Sequence, residues 1–204
     1  MTGLLLKDIL NMKQQAKSYL FIVIVWLVIA IYIKDSEFFS GVMIMFMMMV
    51  PLSAFAYDEH CKWDRLGLTM PVTRFQMVLA KYLLTGLVGV VVSVVSTIVS
   101  VLLNGKPGES IGTSLVLFCI GVIMASIVLP LIFKFGVEKG RILTISAVLL
   151  PIGVVIVLSQ YAPGIASAVG IYAGMSFIFL AALTVLTLAV SIFISVKVYE
   201  GKEL

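Results

Sequence analysis

The chain has 204 residues, of which 62% are hydrophobic and 12% are charged, and its mean hydropathy is +1.21. This composition excludes a soluble globular domain, in which about a quarter of the residues are charged. The formal net charge of +4 does not indicate nucleic-acid binding, because the basic residues are spread along the chain instead of forming a patch interleaved with aromatic residues.

Residues 1–17 are predicted to form an amphipathic helix at the membrane interface. Leu5, Ile9 and Met12 share one face of this helix, whereas Lys7 lies on another. A secretory signal would also begin with basic residues, but no small-residue cleavage site follows the first apolar run. We therefore expect this segment to be retained.

Six segments contain no Asp, Glu, Lys, Arg or His, and each is predicted to be a transmembrane helix. A helix of about 20 apolar residues crosses a bilayer core of about 30 Å, and most of these segments reach or approach that length. The predicted spans are residues 18–33, 38–57, 82–103, 111–133, 142–158 and 176–196. The predicted fold is an all-α integral membrane protein with a single domain over residues 1–204.

The basic residues predict the orientation of these spans. Twelve of the fourteen lie in segments that six spans place on one side, and only Lys34 and Lys106 lie on the other. The basic segments are residues 1–17, 58–81, 134–141 and 197–204. By the positive-inside rule both termini are cytoplasmic, and residues 159–175 are external. Cys61 then lies in the reducing cytosol and Cys119 within a span, so both are expected to be free thiols.

The polar segment 58–81 is predicted to consist of two helices around a Gly/Pro break. The first, over residues 58–66, allows Asp58 to pair with Lys62 one turn later. The second begins at a T-x-x-Q capping box at Thr73 and continues into the third span. This arrangement could transmit a push from a partner protein into the membrane. A solvated loop that carries interfacial side chains is an equally good interpretation from the residues alone.

No catalytic, cofactor or metal site is predicted. The spans lack the ionisable residues that ion-coupled transporters and voltage sensors place at membrane depth. The motifs H-E-x-x-H and G-x-S-x-G are absent, as is the nucleotide-binding sequence G-x-x-x-x-G-K-[ST]. The one histidine, His60, is interpreted as a polar surface residue beside Asp64.

Small and flexible side chains mark the expected packing of the spans. The third span carries a stripe of them at three- and four-residue spacing, namely Gly86, Gly89, Ser93, Ser96, Thr97 and Ser100. Such a stripe predicts close contact between helices in lipid. The second span carries the methionines Met43, Met45, Met47 and Met48. They could line a path for hydrophobic cargo, but we favour the interpretation that they fill the bundle core and lipid-facing surfaces.

The sequence from Ala56 to Arg65, the Met70–Arg74 turn and the Lys81–Tyr82 pair resemble short permeases of the type-2 ATP-binding-cassette (ABC) exporter superfamily. Residues 134–141 look similar to the same group. The resemblance extends over the whole chain in length and number of spans. In size and plan the chain is similar to the permeases of phenol-soluble modulin exporters, which carry amphipathic peptides.

This resemblance implies a coupling helix over residues 58–65 that docks into a groove of a separate ATPase. The side chains that it implies for ATPase contact are Asp58, Glu59, Lys62, Trp63, Asp64 and Arg65, with Lys134, Phe135, Glu138, Lys139 and Arg141. ATP and magnesium would bind to the ATPase, so this chain would not be an enzyme. Two ATPase copies and a second permease, identical or paralogous, would complete the transporter in the bacterial plasma membrane.

The function implied by the resemblance is the export of hydrophobic or amphipathic peptides. An alternative is a non-transporting membrane protein, such as an immunity or assembly factor that binds a peptide or a partner protein. An intramembrane enzyme is disfavoured because the sequence offers no catalytic constellation. A neighbouring reading frame that encodes an ATPase would favour the exporter.

Overall fold

The computed structural model describes residues 2–63, 73–161 and 173–201, and within these ranges the chain is helical apart from short turns and contains no strand. The helices are α1 Thr2–Ile33, α2 Ser36–His60, α3 Arg74–Asn104, α4 Pro107–Tyr161 and α5 Ala173–Glu200. Each contains a segment long and apolar enough to cross a membrane, so the chain is a multi-pass membrane protein. These segments are Gln15–Ile33, Phe38–His60, Arg74–Leu103, Pro107–Ile142 and Phe177–Glu200.

The N-terminal segment and the first span form one uninterrupted helix of 32 residues, α1. The helix predicted over residues 1–17 therefore leads directly into the first span, and no Gly or Pro near this junction interrupts the hydrogen-bond ladder. The boundary after residue 17 stays a prediction. The apolar side chains of Leu6, Ile9 and Leu10 point outward, whereas Asp8 is almost fully buried. The start of α1 thus turns Asp8 toward the protein and leaves several of its apolar side chains exposed.

Helix α3 begins and ends as its sequence dictates. The predicted capping box is confirmed, because the Thr73 side chain accepts a hydrogen bond from the backbone N–H of Gln76 and the Gln76 side chain accepts one from the N–H of Thr73. At the other end Gly105 adopts the left-handed conformation, and its N–H donates to the carbonyl of Val101. Between these caps the helix runs for 31 residues without a break.

Helix α4 is too long to be one membrane span. Its 55 residues would extend about 83 Å if straight, against a bilayer core of about 30 Å. At Gly136 the backbone leaves the helical region (φ 79°, ψ 178°), which divides α4 into a first arm over 107–135 and a second arm over 137–161. The predicted fifth span, 142–158, lies in the second arm. Most of the predicted external segment, residues 162–172, lies outside the described residues.

The predicted close packing of small residues is confirmed at Gly89 and Gly121, whereas nothing lies within 4 Å of a Cβ added at Gly86 of the same stripe. Met47 on α2 lies against Gly89 on α3 and Gly121 on α4, and a Cβ atom added at either glycine would come within 2.6 Å of the Met47 thioether. Met47 is 2% exposed. The three helices can approach here because neither glycine has a side chain, and the flexible thioether fills the remaining space.

Serine hydroxyls join the first turns of α2 to the last turns of α3. Ser96 donates a hydrogen bond to the hydroxyl of Ser40 over 2.7 Å, and the Ser40 and Ser100 hydroxyls lie 3.4 Å apart. All three side chains are buried. In an apolar bundle such pairs satisfy polar groups that would otherwise be costly to bury.

Candidate functional site

Four ionised side chains from three helices form a cluster at the end of the bundle that holds the N-terminus of α1. Lys7 and Asp8 come from α1, Asp58 from the last turn of α2, and Lys81 from α3. The Asp58 carboxylate contacts both lysines, at 2.6 Å from Lys7 Nζ and 2.6 Å from Lys81 Nζ. The Asp8 carboxylate also contacts both, at 3.2 Å from Lys7 Nζ and 3.0 Å from Lys81 Nζ. We call these four residues the charge cluster.

The charge cluster is electrically balanced and largely removed from water. Asp8 is 2% exposed, Lys81 7% and Asp58 8%. Two carboxylates and two ammonium groups cancel, which makes the burial of charge tolerable, because a buried ion is costly without a partner. Removal of any one member would leave the opposite charge uncompensated.

Aromatic rings border the charge cluster on two sides. The Lys7 ammonium lies 4.1 Å from the centre of the Trp63 ring, and the Lys81 ammonium lies 5.2 Å from that of Phe55. Both distances suit a cation–π contact. A cavity of about 110 Å³ lies beside the cluster. Trp63, three residues beyond the end of α2, thus connects the polar segment 58–81 to the N-terminal helix.

The charge cluster is the first of three joints between helices. A second joint connects the end of α2 to the break in α4. The Glu59 carboxylate accepts a hydrogen bond of 2.7 Å from the backbone N–H of Val137, the first residue of the second arm. A carboxylate at this position caps an otherwise unsatisfied N–H and complements the helix dipole. Gly136 allows the approach, because its φ and ψ are accessible essentially to glycine alone, and a Cβ there would lie 3.2 Å from Glu59 Oε1.

A third joint connects the start of α3 to the end of α5. The Arg74 guanidinium donates hydrogen bonds to the backbone carbonyls of Tyr199, over 3.1 Å, and Glu200. These carbonyls belong to the last turn of α5, where a cation is favourable. The Tyr199 ring packs edge-on against Phe133 at 5.7 Å between centres. Together the charge cluster and these two joints place the described parts of all four basic segments at one end of the bundle.

The predicted coupling residues divide into buried and accessible positions. Asp58 is occupied by the charge cluster, and Trp63 is partly buried. The accessible ones are Glu59, Lys62, Lys134, Phe135, Glu138, Lys139 and Arg141. Asp64 and Arg65 lie outside the described residues. The exposed members therefore form two groups, one at the end of α2 and one around the break in α4, which the Glu59–Val137 hydrogen bond brings together.

Two details of the prediction for the polar segment are wrong. Residues 58–60 do not start a separate helix over 58–66 but complete α2, which ends at His60. Asp58 pairs with Lys7 and Lys81 instead of Lys62, which follows the helix end with a positive φ of 50°. Asp58 pairs with the buried Lys81 and the partly buried Lys7 because an ion pair shielded from water is stronger than one on an exposed helix turn.

Asp8 was missed by the sequence analysis, although it is the most buried of the charged residues named here. One signal was available, since Asp8 is the only acidic residue in the first 34 and interrupts an otherwise basic segment. Its partners could not be identified from this signal, because Lys81 lies 73 positions away in the chain.

The methionines of the proposed cargo path do not share one surface. Met43 and Met47 are buried in the core, Met48 is partly buried, and Met45 is 63% exposed. The separation follows from helical geometry, since residues two apart lie on nearly opposite faces. The cargo path through these four residues stays a prediction. Among the described residues no group of three or more His, Cys, Asp or Glu side chains could hold a metal ion.

Residues 3–200 match a protein-family model described as an ABC-2 family transporter protein. Comparisons with curated proteins and with solved structures gave no match.

Proposed function

We propose that this chain, which belongs to the ABC-2 transporter family, is the permease of an ATP-driven exporter of hydrophobic or amphipathic peptides. Membership makes it the membrane component of an ABC transporter, which works with a partner ATPase. Outward transport, the peptide cargo, two ATPase copies and a second permease in the bacterial plasma membrane are the proposed additions. The resemblance of segment 58–81 to the type-2 exporter permeases supports them.

The charge cluster is the observation that carries this proposal. An ATPase that binds the chain just after Asp58 would move Asp58 itself. Asp58 is bound to α1 through Lys7 and to α3 through Lys81. Because the cluster is buried and paired, it resists separation and would move as a unit. Movement of the partner would thus reach two membrane helices at once, and the Glu59–Val137 hydrogen bond would extend it to α4.

Six crossings are proposed for the chain, and the packing of α5 supports this number. Phe133 on the first arm of α4 and Tyr199 near the end of α5 are in contact at the same end of the bundle. Helix α5 is 28 residues long, about 42 Å, so its start lies toward the opposite end. The second arm, 137–161, is then needed to carry the chain across.

The exposed basic residues around the break in α4 provide a direct test of ATPase contact. We expect Lys134→Glu with Lys139→Glu to reduce the amount of ATPase that co-purifies from mild detergent, because reversed charges at an interface repel the partner. Asp64→Arg with Arg65→Asp should have the same effect, because the resemblance assigns both positions to the coupling helix.

The matched control for this experiment is Lys106→Glu at the opposite end of the bundle. Lys106 is exposed and forms a solvent-accessible ion pair with Glu109, which is worth little. This variant should retain its ATPase. Full retention of the ATPase by both reversed-charge variants would contradict the proposed docking surface, and the complete absence of an ATPase from wild-type preparations would favour the non-transporting alternative.

A further inference from the structure

An open groove runs along the face of α2 that is turned away from the charge cluster. It has a volume of about 620 Å³ and is lined by Gln15, Met49, Leu52, Ser53, Ala56, Tyr57, His60 and Arg141. Six of these residues belong to α2, and the spacing between them alternates between three residues and one residue. They therefore form a single stripe along the helix. Helix α1 contributes one wall through Gln15, and the second arm of α4 contributes the other through Arg141.

The wall at α1 is polar, and its polar side chain already has hydrogen-bond partners. The Gln15 side-chain amide donates to the Tyr57 hydroxyl over 3.0 Å, and its carbonyl accepts from the Tyr19 hydroxyl over 2.7 Å. Ser53 donates to the backbone carbonyl of Val50 over 2.7 Å. This wall therefore has a fixed shape and carries no net charge.

The opposite wall carries an uncompensated positive charge. Arg141 is exposed, and no carboxylate lies within ion-pair distance of it in the parts of the chain that the structure describes. The described lining of the groove contains no Asp or Glu, and His60 is the other basic side chain. The lysines of the charge cluster contrast with Arg141, because each of them contacts two carboxylates.

We propose that this groove binds a single-chain amphiphile with an anionic head. The head, a carboxylate or a phosphate, pairs with Arg141 near His60, and the apolar chain lies along Met49, Leu52 and Ala56. A guanidinium favours either anion through paired hydrogen bonds. The inference goes beyond the proposed function and does not depend on it, because the occupant is a small amphiphile and not the peptide cargo.

The volume of the groove suits a small amphiphile. Ligand sites of about 300–1,000 Å³ hold drug-sized molecules and combine apolar walls with a few polar groups. This groove has about 620 Å³ and both kinds of lining.

Binding can be measured on the permease alone, in nanodiscs of a neutral lipid. An environment-sensitive fluorophore on Cys61, next to His60, reports occupancy when Cys119→Ser removes the second thiol. The probes are dodecanoate, dodecyl phosphate, dodecanol and dodecyltrimethylammonium, which share a chain and differ in the head. We expect saturable signals for one or both anions at concentrations about tenfold or more below those for the other two, since hydrogen bonds to charged groups are strong.

Arg141→Gln should weaken binding of the anion by about 10- to 100-fold, whereas Lys139→Gln should leave it unchanged, because Lys139 is exposed on the same arm but does not line the groove. Met49→Asp, a second variant at an exposed position, should also weaken anion binding, and Met45→Asp outside the groove should not.

Response to only one of the two anions would support the proposal and identify the head group. Equal binding of all four probes, or unchanged anion binding by Arg141→Gln, would overturn it. Because no ATPase is present, such a failure would leave the proposed docking surface for the ATPase unaffected.

Discussion

The charge cluster shows how single residues hold together helices that are distant in the chain. Asp8 contributes nothing to the apolar surface of α1, yet it is buried deeper than most of its apolar neighbours because two lysines share its carboxylate. The ion pairs are worth little relative to a well-packed apolar contact, but their disruption is costly. The cluster therefore specifies which faces of α1, α2 and α3 meet.

Asp8→Asn should destabilise the protein by about 3–5 kcal/mol, because it leaves the buried Lys81 and the partly buried Lys7 with one carboxylate between them. The measurement is thermal or denaturant unfolding of the purified permease, followed by the exposure of Cys119. Glu138→Gln removes a carboxylate from an exposed site and should change the stability by less than about 0.5 kcal/mol.

A double variant separates charge balance from packing in this experiment. Asp8→Asn with Lys7→Gln restores neutrality among the remaining members and should recover part of the lost stability. Equal stability of Asp8→Asn and wild type would show that the charge cluster is not formed in the protein.

At the scale of the element, α4 depends on one glycine. The sequence predicts a polar interruption at 134–141 but not its geometry, whereas the structure concentrates the change of direction at Gly136. Pro130 lies six residues earlier and remains within helical backbone. Glu59 then caps the second arm, so the break also fixes the contact between α2 and α4.

Gly136→Ala should cost about 1–3 kcal/mol, because a side chain is strained at this φ and ψ and its Cβ would crowd the Glu59 carboxylate. Gly86→Ala is the matched control, since Gly86 is helical and nothing lies within 4 Å of its added Cβ. That control should be neutral or stabilising by up to about 1 kcal/mol. Unfolding measurements that rank the two variants equally would contradict the positive φ at Gly136.

At the scale of the whole molecule, the three joints lie at the same end of the bundle as most of the basic residues that the structure describes. The N-terminus of α1, the end of α2, the start of α3, the break in α4 and the end of α5 meet there. Lys34 follows the end of α1, and Lys106 follows the end of α3. Both helices begin at the joined end, so these two lysines lie at the opposite end of the bundle. The positive-inside rule then predicts that the joined end faces the cytoplasm.

In intact cells of a Cys119→Ser variant, Cys61 should resist a membrane-impermeant thiol reagent until the membrane is opened. Cys61 is exposed, so protection would come from its side of the membrane and not from burial. Lys106→Cys in a chain without other cysteines should show the opposite pattern. Labelling of Cys61 from outside would reverse the proposed topology.

The sequence by itself determined the helical class, the location of the apolar segments and the cap of α3, because hydropathy and capping depend on neighbours within a few residues. It also indicated the small-residue contacts, since a helix projects every third or fourth side chain to one face. The pairing of Asp8 and Asp58 with Lys7 and Lys81, the course of α4 after Gly136 and the groove beside Arg141 were decided only by the tertiary structure. Each of these depends on side chains brought together from distant parts of the chain, and the energy of a charge in an apolar bundle depends on which partner reaches it.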